Sequence, residues 1–122
     1  MRKRGFKEML AEANALIVTI SVQDLYFALD DDETVLVDVR ETVEREQDGL
    51  IPGSVHAPRG LLEFHADPDS PSYNAELDPG CRLILYCGSG GRSALAAKTL
   101  LEMGYQNVAS LAGGFAAWEV AK

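Results

Sequence analysis

Apolar positions along the chain fall into two patterns. Short β-branched or continuous runs occupy residues 16–20, 34–39, 54–57, 82–86 and 107–111. Runs of this length bounded by turn residues predict strands, and the unbroken stretches Val35-Leu36-Val37 and Leu83-Ile84-Leu85 suit strands covered on both faces of a parallel sheet. Between the runs, apolar residues recur at helical spacing. Phe6, Leu10 and Ala13 predict an amphipathic helix over 5–14, and Val22, Leu25, Tyr26 and Leu29 form the stripe of a second, opened by Ser21-Val22-Gln23-Asp24 in the form of a capping box. The acidic turn Asp30-Asp31-Asp32-Glu33 closes it. Residues 42–47 predict a short charged helix, and 59–64 another that packs through Leu61, Leu62 and Phe64.

Ala94, Ala97 and Leu101 mark a longer helix, with Lys98 and Glu102 on another face and Gly104 as its stop. After Gly113-Gly114, Phe115 and Trp118 stand three apart and anchor a terminal helix on the core. Strands alternating with helices call for an α/β fold with right-handed crossovers and helices on both faces of the sheet. Residues 66–80 carry three prolines and two serines, the composition of a loop. Two readings of it stay open: a border to a site, helping to set an acceptor or partner, or a solvated insertion.

A length of 122 residues, 47% of them hydrophobic, suits one core. The expected division is an N-terminal helical extension over 1–15 and a single domain over 16–122. A net charge of −8 argues against a nucleic-acid or anionic-membrane surface. Met1-Arg2-Lys3-Arg4 has the basic start of an export signal, but Lys7, Glu8 and Glu12 interrupt the segment after it and Asn14 and Thr19 break the next apolar run, so a cytoplasmic location is the expectation. Cys81 and Cys87 flank a strand that separates them by roughly 20 Å, too far for a disulfide, which points to a reducing compartment. His56 and His65 stand without a carboxylate or cysteine at ligand spacing, and Asp30 to Glu33 would need ligands from elsewhere, so neither a metal nor a cofactor is expected.

The candidate chemistry lies in Cys87-Gly88-Ser89-Gly90-Gly91-Arg92-Ser93, between the 82–86 strand and the helix after it. Three glycines let the backbone turn tightly and aim several N–H groups at one point. The positive end of the helix dipole favours an anion in front of it and the thiolate form of Cys87, and Arg92 adds a permanent positive charge. A nucleophile and an anion site thus come from one segment. Strand ends in open α/β sheets border the ligand crevice, so Asp38 and Arg40, at the end of the 34–39 strand, are candidates for the pocket or for its structural support. Arg59 is a further pocket candidate.

This loop resembles the active-site loop of single-domain rhodaneses: cysteine, any residue, serine, glycine, any residue, arginine, serine. Gly49-Leu50-Ile51-Pro52-Gly53 resembles a second signature of that family, with Leu50 where a histidine commonly stands, and Gly113-Gly114-Phe115-Ala116-Ala117-Trp118 resembles the closing one. The resemblance runs from about residue 16 to 118. It implies a five-stranded, mainly parallel sheet in the order 1-5-4-2-3, with Cys87 at the carboxyl end of the fourth strand. It also implies that Cys87 takes a sulfane sulfur from thiosulfate or another persulfide donor and passes it to a thiol or cyanide, a protein serving as donor or acceptor in some cases. Gly88, Ser89, Gly90, Gly91, Arg92 and Ser93 would hold the anion, and Arg40 would support the fold through an ion pair, expected with Glu44 or Glu41. Gly88 and Gly91 occupy variable positions of the loop, which leaves Arg92 as its single formal positive charge.

Two other readings remain. A carrier or regulatory module of the same fold would keep the loop without turnover. A cysteine-dependent phosphatase or arsenate reductase would need five residues between cysteine and arginine to surround a tetrahedral oxyanion, whereas four intervene here and Tyr86 stands where the phosphatase signature has histidine.

Overall fold

The structure, a computed structural model, describes residues 3–122, so the first two residues of the basic opening segment lie outside it. Its elements are α1 (Phe6–Leu16), β1 (Val18–Ile20), α2 (Val22–Ala28), β2 (Thr34–Asp38), α3 (Thr42–Asp48), β3 (Val55–His56), a 3-10 turn (Arg59–Leu61) leading into α4 (Leu62–Ala66), β4 (Arg82–Tyr86), α5 (Gly91–Glu102), β5 (Val108–Leu111) and α6 (Gly114–Ala121). The strands form one sheet in the order β1-β5-β4-β2-β3, with every neighbouring pair parallel.

β4 runs through the middle, and its alternation divides the core. Leu83, Leu85 and Cys87 pack with α4 and α5 on one face, while Ile84 and Tyr86 meet α2 and α6 on the other. Leu83, Ile84 and Leu85 are fully buried, each contributing about 1.5–3 kcal/mol relative to exposure. α5 lies on the sheet through a stripe of small residues, Ser93, Ala94, Ala96 and Ala97, with Leu100 behind them. Ala94 and Ala97 of the expected stripe are buried and Leu101 packs half-buried at its edge, and Ser93, Ala96 and Leu100 widen the stripe because small side chains let the helix settle close to the sheet. The helix ends as Gly104 predicts: Gly104 takes φ +105°, its N–H reaches the Leu101 carbonyl, and the Tyr105 N–H reaches that of Leu100, the double bond of a Schellman motif.

Other local expectations shift. α1 runs two residues further than 5–14 and rests on α5, burying Ala13, with Glu12 paired to Lys98 and Arg4. Ser21 accepts the Asp24 N–H and caps α2, but the reciprocal box forms at α3, between Glu41 and Glu44. Leu25 and Ala28 carry the packing of α2, leaving Tyr26 and Leu29 exposed, since two turns of helix meet the sheet along one edge only. In the 59–66 segment Leu62 and Ala66 are buried while Leu61 and Phe64 face outward, because the 3-10 turn advances three residues per turn and rotates the face presented to the core.

The 66–80 segment leads to the amino end of β4, the end of the sheet away from Cys87, so it does not border that cysteine. Nor is it a loose insertion. Leu77 is fully buried, and the Tyr105 hydroxyl is shared between the carbonyls of Ala66 (2.7 Å) and Leu77 (2.6 Å). Burial, with Tyr73, Asp78 and Asp67 nearby, pushes that hydroxyl up to about 12, so it remains a donor at neutral pH. Tyr105→Phe should strand both carbonyls and lower stability by about 1–3 kcal/mol in urea unfolding; an unchanged midpoint would mean that other donors hold the loop. Among the described residues, no helix is long and apolar enough to cross a membrane.

Candidate active site

The chain leaves β4 at Tyr86, turns through residues 87–90 and enters α5 at Gly91. α6 shapes the turn from outside: the Phe115 N–H binds the Cys87 carbonyl (2.8 Å) and the Ala116 N–H binds that of Gly88 (3.1 Å). This contact depends on Gly114, where a Cβ would lie 2.5 Å from the Cys87 carbonyl oxygen. With these carbonyls held by α6, the N–H groups further along the loop are left to face the sulfur. The Gly90 N–H lies 3.1 Å and the Ser93 N–H 3.4 Å from Sγ of Cys87, and Sγ is 3.5 Å from the Ser93 hydroxyl. Gly90 caps α5 at φ +115°, a conformation open to glycine. Gly88 and Gly91 have no positive φ, and a Cβ at Gly91 would meet open space.

Cys87 is 1% exposed. Burial pushes its thiol up, but hydrogen bonds from the Ser93 hydroxyl and the N–H groups of Ser93, Gly90 and Ser89 outweigh it, and the net shift is below the ordinary thiol range. Cys81, at the other end of β4, is shifted the opposite way, by desolvation and then by the charges of Asp78, Glu33 and Asp31. Both cysteines are free.

Arg92 does not stand as an unopposed positive charge. Its guanidinium grips Glu44 of α3 through two hydrogen bonds, 2.6 and 2.9 Å, and Glu44 also accepts the Glu41 N–H. The Arg92 hydrogen bond is the main cause that lowers Glu44 to about 2, against its desolvation. A depressed carboxylate contributes stability above its unfolded value and loses it on protonation. The charge-dependent stability difference between wild type and Glu44→Gln should therefore be full above about pH 4.5 and vanish as pH falls toward 2. Urea unfolding across that range measures it, and a difference independent of pH would remove the ion pair as its cause.

Glu44 is thus unavailable to Arg40, and the expected Arg40 pairing with Glu44 or Glu41 is replaced. Arg40 folds back onto Asp38, two residues earlier, through Nε (3.1 Å) and Nη2 (2.9 Å), and donates to the Gly49 carbonyl (2.8 Å). Its guanidinium lies 4.4 Å from the Phe115 ring centre and 5.4 Å from that of Tyr86. Asp38 also accepts the Tyr86 hydroxyl (2.9 Å) and Arg45 (3.2 Å). This network sits with Tyr86 on the α2/α6 face, across the sheet from the Cys87 side chain. Asp38 and Arg40 therefore brace the strand ends and do not line the sulfur's surroundings.

Arg59 is drawn away as well, bonded to Glu63 (3.1 Å) and to Thr99 (3.1 Å), about two turns along α5 from the loop. His56 bonds the Arg40 carbonyl and His65 that of Ser72. No cluster of three or more His, Cys, Asp or Glu able to hold a metal occurs among the described residues.

Two neighbours of the loop are not expected beside it: Glu44 is expected only as a partner of Arg40, and Ser110 not at all. Glu44 looks like one acid among many in 41–48, and only its helical phase could have suggested an inward role. Ser110 is the single hydroxyl in Val108-Ala109-Ser110-Leu111, a polar break in a buried strand, and its Oγ lies 2.8 Å from that of Ser93.

Known proteins resemble this chain in sequence and in fold. The Bacillus subtilis protein named "Putative sulfur carrier protein YrkF" is 34% identical over 119 residues, 97% of this chain; the chain spans only 58% of that protein's length. A sulfurtransferase of Allochromatium vinosum is 34% identical over 89 residues, 73% of this chain and 75% of the relative. A solved structure from Rhodopseudomonas palustris, described as a protein of unknown function and possible tyrosine phosphatase, superposes with a TM-score of 0.93 at 43% identity, covering 99% of this chain and 93% of its own. The family model of the rhodanese-like domain matches residues 21–121, from the cap of α2 through α6 and including the whole Cys87 loop. The chain belongs to the rhodanese-like domain family.

Proposed function

We propose that this protein is a sulfurtransferase that carries a sulfane sulfur as a persulfide on Cys87. The observation that carries this reading is the buried Sγ receiving N–H groups from Gly90 and Ser93 at the start of α5. In the first half-reaction the Cys87 thiolate attacks the outer sulfur of the donor. A new S–S bond forms to Cys87 while the donor's own S–S bond breaks, and sulfite (from thiosulfate) or a thiolate leaves with the bonding electron pair. In the second, an acceptor thiolate or cyanide attacks the terminal sulfur, and Cys87 departs as the thiolate. The N–H groups from residues 88–93 and the α5 dipole are preorganised for the negative sulfur in both steps.

The Arg92–Glu44 pair bears on the donor. A dianion such as thiosulfate meets a guanidinium already neutralised by a carboxylate, which favours a persulfide donor, on a small thiol or on a protein. The same pair weighs against a phosphatase, which needs a free arginine and a wider loop for a tetrahedral oxyanion. Two free cysteines suit the reducing cytoplasm in which a persulfide would be handed on.

Intact-protein mass after incubation with thiosulfate, or with glutathione persulfide, tests the reading. A gain of about one sulfur mass, removed by cyanide and retained in Cys81→Ala, is the expected result. Absence of the adduct with both donors, or phosphatase activity dependent on Cys87, would overturn it.

A further inference from the structure

The hydroxyl beside Cys87 has more hydrogen-bond partners than protons. Ser93 Oγ lies 3.5 Å from Sγ, 3.1 Å from the Gly90 carbonyl and 2.8 Å from Ser110 Oγ, and both serines are buried. A hydroxyl carries one proton and two acceptor sites. While Cys87 is a thiol, its S–H can donate to Ser93 Oγ and the Ser93 proton can rest on the Gly90 carbonyl. Once Cys87 is a thiolate it needs a donor instead, so the Ser93 proton must swing to Sγ. The Gly90 carbonyl tolerates the loss because it also accepts the Ala94 N–H at 3.1 Å.

Ser110 is placed to hold Ser93 in either state. β5 pairs it with Leu85, so sheet hydrogen bonds fix its position, and its proton can point at Ser93 Oγ throughout. Ser110 also lines a cleft of about 260 Å³ together with Asn14 and Thr19, and Ser93 Oγ is the partner that its hydroxyl meets. A hydroxyl that accepts one hydrogen bond is a stronger donor of the next.

We propose that Ser110, acting through Ser93, is a positioning residue for Cys87: by donating to Ser93 Oγ it strengthens the hydrogen bond that Ser93 gives to the thiolate. The proposal rests on the reading of Cys87 as the sulfur-carrying nucleophile. Charged groups around Cys87 are Arg92 of α5 with its partner Glu44, and across the sheet Asp38, Arg40 and Arg45 beside Tyr86. None of them is touched by a substitution at 110.

The test is the pH profile of iodoacetamide alkylation in a Cys81→Ala background, for the parent, Ser110→Ala, Ser110→Thr, Ser93→Ala and the double alanine variant. Ser110→Ala should raise the midpoint by about half a unit to one unit and slow alkylation below it about three- to tenfold. Ser110→Thr, which keeps the hydroxyl, should restore the parent profile. In the double variant the Ser110 effect should disappear, because Ser93→Ala already removes the group through which it acts. An unchanged midpoint in Ser110→Ala, or a Ser110 effect that persists in full without the Ser93 hydroxyl, would overturn the proposal. Alkylation reports the thiol whether or not sulfur is transferred. A parent protein that shows these shifts but takes up no sulfur from either donor would therefore overturn the sulfurtransferase reading and leave the Ser110 assignment in place.

Discussion

Cys87→Ser should reduce sulfur transfer by more than about a thousandfold, since the other free thiol among the described residues, Cys81, stands at the opposite end of β4. The substitution replaces a buried sulfur with a smaller oxygen inside the same ring of N–H groups, and the carbonyl bonds to Phe115 and Ala116 are main-chain contacts that it leaves alone. The thermal midpoint should therefore stay close to wild type while single-turnover sulfur uptake vanishes. A serine hydroxyl is protonated at neutral pH, so the field that favours a thiolate here gains nothing from the replacement. Cys81→Ala is the matching control: that thiol lies at the far end of β4 and is pushed toward its neutral form, so turnover should persist. Full activity in Cys87→Ser, or its loss in Cys81→Ala, would move the chemistry to another residue.

Arg40→Ala should lower stability by about 3–5 kcal/mol, the range for breaking a buried ion pair from one side. Asp38 is fully buried and Arg40 1% exposed, so removing the guanidinium leaves a carboxylate served by the Tyr86 hydroxyl, the backbone N–H at position 40 and a single contact from the part-buried Arg45 at 3.2 Å. The loss also removes the guanidinium that packs against the Phe115 and Tyr86 rings. Phe115 holds the Cys87 carbonyl, so sulfur uptake should fall along with stability. Urea unfolding of Arg40→Ala beside Asp38→Asn/Arg40→Met separates the causes. The double variant should recover much of the loss, because it removes the charge along with its partner. A single-variant loss below about 1 kcal/mol would show that Arg45 can take over the carboxylate.

Much of this architecture is legible in the order of residues. Continuous apolar runs locate β2 and β4 because a strand covered on both faces has no polar side to interrupt it. The glycine-rich turn between β4 and α5 marks Cys87 as the candidate site, since a cysteine, a tight loop and a helix amino end are contiguous in sequence as they are in space. Gly104 marks the end of α5 by the same locality. Packing phase is less legible. The faces of α2 and α4 that reach the core depend on where each helix lands on the sheet, and in α5 Ser93, Ala96 and Leu100 join the expected Ala94 and Ala97 while Leu101 stays at the edge.

Fold class, the place of the proposed nucleophile and the N–H groups that face its sulfur are all written in the order of residues, because each follows from periodicity or from neighbours a few positions apart. The charge arrangement is not; it exists only once the chain has folded. Glu44 binds Arg92 and Asp38 accepts the Tyr86 hydroxyl, each across 48 residues; Gly114 admits α6 against the loop, and Ser110 meets Ser93 across 17 residues. Range separates the two groups of features: backbone conformation is set by local sterics, whereas an ion pair or a hydroxyl contact forms only between groups that the folded sheet and its helices bring within about 3 Å.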